Sequence, residues 1–190
     1  MDKKTNGYFG DKNKIIIILS WLLVILWAGV IFYLSSKSAP ESTVQSNAVI
    51  NSFNGIFGIE IPDELEFDKV SGIVRETAHG VEYFILGALV FNAIYLCLNY
   101  RKQEELLLEA ETGIKCRDPY RMINSIVCAI TICTFYALSD EIHQIPIPGR
   151  AFQIMDLTID FIGIILGVIF VAVLYKIKKK PTTSSYTRQV

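Results

Sequence analysis

The sequence predicts an all-α, polytopic membrane protein: a bundle of four transmembrane helices with both termini in the cytoplasm. Three observations predict it. Four long apolar segments interrupt a chain of 190 residues that is 52% apolar, with a mean hydropathy of +0.39. Lysine and arginine are shared unequally between the segments that join them. None of the four cysteines falls in a stretch expected to face outward, so no structural disulfide is implied.

The first segment, 15–34, reads IIIILSWLLVILWAGVIFYL and carries no charge. Twenty helical residues match the thickness of the hydrocarbon core. Lys12 and Lys14 before it and SKSA after it also fit a signal peptide, but the apolar run exceeds the 7–15 residues of such a peptide's core. A retained span is expected. The other spans are expected at about 78–98, 123–139 and 157–175, so the membrane domain covers 15–175. Residues 1–14 form an N-terminal tail, and 176–190 a polar C-terminal tail that is disordered from Pro181.

Fourteen basic residues lie in the N-terminal tail, the segment between spans two and three, and the C-terminal tail. The other side holds four: Lys37, Lys69, Arg75 and Arg150. The positive-inside rule places both termini in the cytoplasm and turns 35–77 and 140–156 outward. The inner segment RKQEELLLEAETGIKCRDPYR is expected to extend a helix and then turn. In the first outer loop, Val44, Ala48, Val49, Phe53, Ile56 and Phe57 recur at near-helical spacing. They fit an amphipathic helix on the outer membrane surface, or equally a segment packed over the bundle mouth. An acidic patch, DELEFD, follows Pro62, and a helix from about Lys69 runs into span two.

Ionisable groups gather at the outer ends of these spans. Asp140, His143 and Gln144 share one face of the third helix with Tyr136 below them, while Glu141 points elsewhere. Arg75, His79, Glu82 and Leu86 share a face of the second. Asp156, Asp160, Gly163 and Gly167 share a face of the fourth, and its G-x-x-x-G pair permits close helix approach. Pro148-Gly149 suits the centre of a type II turn that delivers Arg150 over the bundle mouth. His79, Glu82, Asp140, His143, Arg150, Asp156 and Asp160 are thus expected to line one outer cavity, with Glu141 off the main cluster or at its rim. Two plainer readings stand beside this: solvated helix ends, or Arg75 or Arg150 pairing with Asp156 or Asp160 as structural glue. A carboxylate such as Asp160 within an apolar span costs roughly 2.5–3.5 kcal/mol at mid-helix, so it requires a partner or a task.

At these residues the sequence resembles the VanZ-like family of small bacterial integral membrane proteins. FYLSSKSAPES is similar to that family's serine-rich exit from the first span, and VRETAHGVEYFILG to its Arg-Lys-x-x-His-x-x-x-Tyr-x-x-x-Gly segment. YALSDEIHQIPIPGR is similar to its Asp-Glu-x-x-Gln, Pro-Gly-Arg segment, and DLTIDFIGIILG to its Asp-x-x-x-Asp-x-x-Gly-x-x-x-Gly segment. One position departs: Glu76 stands where the pattern has lysine. The resemblance implies a cell-membrane location and a link to resistance against glycopeptide antibiotics, chiefly the lipid-tailed teicoplanin.

Two functions from different classes follow. The first is a membrane factor that limits lipoglycopeptide access to cell-wall precursors. The second is an integral-membrane enzyme acting on a lipid or precursor head group. In it, His79, Glu82, Asp140, His143 and Asp160 are the catalytic candidates, and Arg75, Gln144, Arg150 and Asp156 the substrate-binding ones. His79, His143, Asp140 and Asp160 are candidate ligands for a divalent metal, although no H-E-x-x-H or Cys/His zinc pattern is present. The partner is a membrane lipid or a lipid-linked cell-wall precursor. No basic stripe points to nucleic acid, and no inverted repeat or broken span points to a transporter.

Overall fold

The computed structural model describes residues 3–57, 64–113 and 120–178. Five helices follow one another: α1 (Lys3–Ser35), α2 (Ala39–Phe57), α3 (Glu64–Thr112), α4 (Arg121–Gln144) and α5 (Ile154–Lys178). Among the described residues there is no strand. Four stretches are long and apolar enough to cross a membrane: Asp11–Ser35, Lys69–Thr112, Arg121–Gln144 and Ile154–Lys178. Each contains one of the expected spans. Their outer faces fit that solvent: Leu22 and Ile25 of α1, and Leu166 and Phe170 of α5, are all exposed. A helix with apolar side chains on all faces is at home in a core or in lipid.

Helix α3 is the axle of the bundle and packs against each of the other four. It has no proline from Glu64 to Thr112, and its 49 residues span roughly 70 Å at helical rise. That is well over the roughly 30 Å of a hydrocarbon core. The expected span of 78–98 is only its middle. The charged continuation stays helical, with Arg101 and Glu105 placed for an i,i+4 pairing. Gly113 ends it at φ +73°, donating its N–H to the Glu109 carbonyl at 2.8 Å. Glycine takes this left-handed turn without a Cβ penalty. Helix α1 likewise begins at Lys3, so most of the expected tail 1–14 continues the first span. No proline interrupts it. The expected inner turn at 114–119, the DELEFD segment apart from its helical course from Glu64, and the polar tail from Pro181 lie outside the described residues.

Small residues bring α5 against α3. A Cβ on Gly163 would collide with the Gly80 carbonyl oxygen, and one on Gly167 with that of Phe84. From the other side, a Cβ on Gly87 would come within 2.7 Å of the Ile164 oxygen. The glycines therefore permit backbone-to-backbone packing, as expected for helix pairs in lipid. Around this seam Tyr83, Leu86, Val90 and Phe91 meet Ala129, Cys133 and Ala137 of α4 and Ile164 and Val168 of α5. Helix α1 is attached by polar clips. Trp27 Nε1 donates to the Glu82 carbonyl at 2.9 Å, and the Tyr136 hydroxyl donates to the Ala28 carbonyl at 2.6 Å.

These contacts make the spans antiparallel. The end of α1, the first half of α3, the end of α4 and the start of α5 meet at one end of the bundle. Helix α2 covers it. Ser38 starts α2 as half of a capping box: its N–H and its hydroxyl both donate to Glu41 at 2.9 Å. The helix lays Ser42, Ser46 and Ile50 inward, toward α3, and leaves Val44, Val49 and Ile56 exposed. The loop segment is therefore helical and packed over the bundle mouth. Phe53 and Phe57 lie outside the described side chains.

Candidate functional site

Two layers form at the covered end: an open cavity, and a buried carboxylate layer behind it. The cavity has a volume of about 210 Å³. Its α3 wall is Val74, Arg75, Ala78, His79 and Glu82. Leu34 and Ser35 come from α1, and Ser42, Gln45, Ser46 and Val49 from α2. Arg150 closes it from the turn before α5. That turn forms as its sequence predicts. The Arg150 N–H donates to the Ile147 carbonyl at 3.0 Å, and Gly149 takes φ +77°.

Behind the cavity, Asp140, Gln144, Asp156 and Asp160 are buried. None of them lines it. The expectation of one shared cavity is thus corrected: His79, Glu82 and Arg150 border it with Arg75, while the aspartates form the layer beneath. Depth along the helices is the reason. Residues on one inward stripe but at different depths meet different neighbours.

His79 joins the layers. It lines the cavity, and its Nδ1 lies 3.9 Å from Asp160 Oδ1. Asp160 is fully buried, and neither of its oxygens has a hydrogen-bond partner among the described residues. A relay of contacts runs across the other side. Ser35 Oγ donates to Asp140 Oδ2 at 2.7 Å, and Gln144 Nε2 approaches the same oxygen at 3.3 Å. Arg150 Nη1 reaches Gln144 Oε1 at 3.5 Å, a weak contact. The Tyr83 ring is buried beside Asp140 and Asp160.

Glu141 does not stay off the cluster. It is 1% exposed, and its Oε2 accepts the Gln153 N–H at 3.1 Å, immediately before α5. A carboxylate there also meets the positive end of that helix. The sequence did contain the signal. Ser125, Ala129, Cys133 and Ala137 are buried small residues at i+4 spacing, and the next step of that stripe is Glu141. The buried arc of α4 is broader than the stripe of Tyr136, Asp140 and Gln144 and takes in Glu141.

His143 stands apart. Its ring stacks on Phe32 with centroids 4.4 Å apart, and Nε2 lies 3.3 Å from Ser36 Oγ. Among the described residues, no group of three or more His, Cys, Asp or Glu side chains is arranged to hold a metal ion. The expected set of His79, His143, Asp140 and Asp160 is not assembled as one.

Nor do the arginines act as glue. Among the described residues, neither Arg75 nor Arg150 forms an ion pair, and Arg150 Nε is buried without a hydrogen-bond partner. Burial, followed by the like charge of Arg75, pulls the Arg150 guanidinium below its ordinary pKa; Asp156, Glu141 and Asp140 pull it the other way. Glu76, the departure from the family pattern, is half-buried and does not line the cavity.

Among the described residues, four membrane-length helices and a polar site capped at one end define a multi-pass membrane protein. The VanZ/LLP1 family model matches residues 20–175, and the chain belongs to that family. No curated protein and no solved structure matches the chain.

Proposed function

We propose that the site end faces outward, with both termini in the cytoplasm, and that the protein lowers susceptibility to lipid-tailed glycopeptides such as teicoplanin. It would do so by engaging a membrane lipid or a lipid-linked cell-wall precursor at the outer surface. The fourteen-to-four distribution of basic residues supports the orientation. Family membership supports the link to resistance. The observation that carries the molecular reading is the cavity bordered by two guanidiniums that form no ion pair with a described residue. At about 210 Å³ it is smaller than the roughly 300–1,000 Å³ pockets that enclose drug-sized ligands. A glycopeptide is too large to be its guest, whereas a head group fits. Expression in a susceptible Gram-positive host should therefore raise tolerance to teicoplanin more than to tailless vancomycin. Asp140→Asn and Arg150→Ala should abolish the rise at unchanged protein level. A protein present in the membrane that shifts neither drug contradicts the proposal.

One observation favours an enzymatic second reading. His79 Nδ1 lies 3.9 Å from the buried Asp160, and the ring opens onto a cavity with two arginines. An imidazole near a buried carboxylate and beside two guanidiniums is an arrangement suited to general acid–base chemistry. Turnover of a head group by the purified protein, lost in His79→Gln, would distinguish this reading from simple binding.

A further inference from the structure

The cavity's two long walls differ in chemistry, and together they restrict what it can hold. The α3 wall presents Arg75, and Arg150 faces it from the turn. Arg75 is the strongest charge acting on Arg150, and the two repel. Neither is neutralised by an ion pair with a described residue. Two guanidiniums held across a cavity are relieved by an anion placed between them, and their planar forks match the oxygens of a phosphate. The α2 wall presents Ser42, Gln45 and Ser46, neutral groups that bond phosphate or hydroxyl oxygens without adding charge.

Two further features distinguish an ester from a bare ion. Leu34, Val49 and Val74 give the same cavity an apolar side, where carbon attached to a phosphate can rest. Glu82 lies in the wall as well. Its carboxyl oxygens can accept a hydrogen bond from a hydroxyl or amine on the head group.

We propose that α2 is a wall of the binding site and that the cavity holds a small phosphate ester between Arg75 and Arg150, with Ser42, Gln45 and Ser46 as further contacts. The assignment rests on the reading of the site given above and names its ligand class. The apolar side of the cavity makes a lipid head group the favoured source.

The test uses the purified full chain in a phosphate-free maltoside detergent, with the thermal unfolding midpoint followed against added probe. Three probes are compared: dihexanoyl-phosphatidylglycerol, inorganic phosphate, and dihexanoylglycerol, which lacks the phosphate. The phosphatidylglycerol should raise the midpoint saturably and dihexanoylglycerol should not. Arg75→Gln should weaken half-saturation by roughly tenfold, the usual scale for losing a charged hydrogen bond. Gln45→Trp, at an exposed position on the α2 wall, fills the cavity and should abolish the shift while the unliganded midpoint and elution profile stay near wild type. Gln45→Trp keeps the test decisive should Arg75→Gln fail to fold. Saturable stabilisation by inorganic phosphate at similar concentrations would keep the phosphate site and assign its source to free phosphate. No saturable shift with either phosphate probe would overturn the proposal, as would an equal shift with dihexanoylglycerol or wild-type binding in both variants. Tolerance to teicoplanin without phosphate-ester binding would remove this inference alone. Binding without tolerance would remove the resistance reading alone.

Discussion

Helix α3 meets α5 and α2 on different surfaces, and the two interfaces are built on opposite principles. Toward α5, Gly163 lies on Gly80, Gly167 on Phe84 and Gly87 on Ile164, and backbone touches backbone. Toward α2, the meeting residues are Arg75, His79 and Glu82 against Ser42, Gln45 and Ser46, and a cavity remains. In lipid there is little hydrophobic force between helices, so close van der Waals packing holds the first interface. The second leaves room for a guest. The comparison teaches a division of labour: the glycine seam fixes where α3 and α5 stand, and thereby holds His79 beside Asp160, while the α2 side remains open to a ligand.

The largest effect should come from the seam. Gly167→Val forces a side chain onto the Phe84 carbonyl. Overpacking of this kind costs about 1–3 kcal/mol, occasionally more. In detergent the variant should lose its monodisperse elution peak, or unfold at markedly lower temperature. A wild-type melting profile would show that the two helices are not so close.

A smaller effect tests the junction of the two regions. Asp140→Asn removes a charge that accepts from the Ser35 hydroxyl and from Gln144. Hydrogen bonds to charged groups are worth about 1.5–3 kcal/mol, and the amide retains part of that. Thermal stability should drop modestly, by less than for Gly167→Val. If Asp140→Asn were the more damaging of the two, polar clips rather than glycine packing would hold the frame.

Smaller again is Ser42→Ala, on the open wall. It leaves no partner stranded by any contact shown here, so its unfolding midpoint should match wild type within error. Its effect should appear only in ligand binding. A clear loss of stability would mean that α2 is welded to α3 as α5 is.

The smallest effect concerns the start of α2. Its capping bonds from Ser38 hold the Glu41 carboxyl below its ordinary value of 4.5. A carboxylate with a depressed folded pKa contributes stability above its unfolded pKa and loses it as pH falls through the folded one. Amide exchange at the first turn of α2 should therefore quicken as pH drops below about 4.5, after correction for intrinsic rates. Glu41→Gln should flatten that dependence and leave exchange in α5 unchanged.

The spans were legible because apolar length is a direct imprint of bilayer thickness. The G-x-x-x-G seam and the Pro148-Gly149 turn were legible because each demands particular residues. Residue faces were read less completely. Asp140 and Gln144 were found by following one stripe, whereas Glu141 lies on a second buried stripe of small side chains that looked like ordinary packing. Helix α2 was visible as a helical repeat, yet its apolar residues do not mark the buried side. Val44 and Ile56 point out and Ser42 and Ser46 point in. Beside a membrane the usual rule can invert, since lipid accepts the apolar face and the polar face finds partners inside. The division of the site into a cavity and a deeper acid layer depends on depth along the helices, which periodicity alone does not report.

The central claim is that this cavity, walled by α2 and Arg150, opens to the outside of the cell. It is tested most directly by placing single cysteines in a chain from which the native ones have been removed. One replaces Gln45, an exposed residue on the cavity wall; one replaces Ala151, an exposed residue next to Arg150; and one replaces Thr183, beyond the end of α5. In intact cells a membrane-impermeant maleimide should label the cysteines at positions 45 and 151 and leave that at 183 unmodified until the membrane is permeabilised. Labelling at 183 with protection at 45 and 151 would turn the cavity toward the cytoplasm and contradict the account.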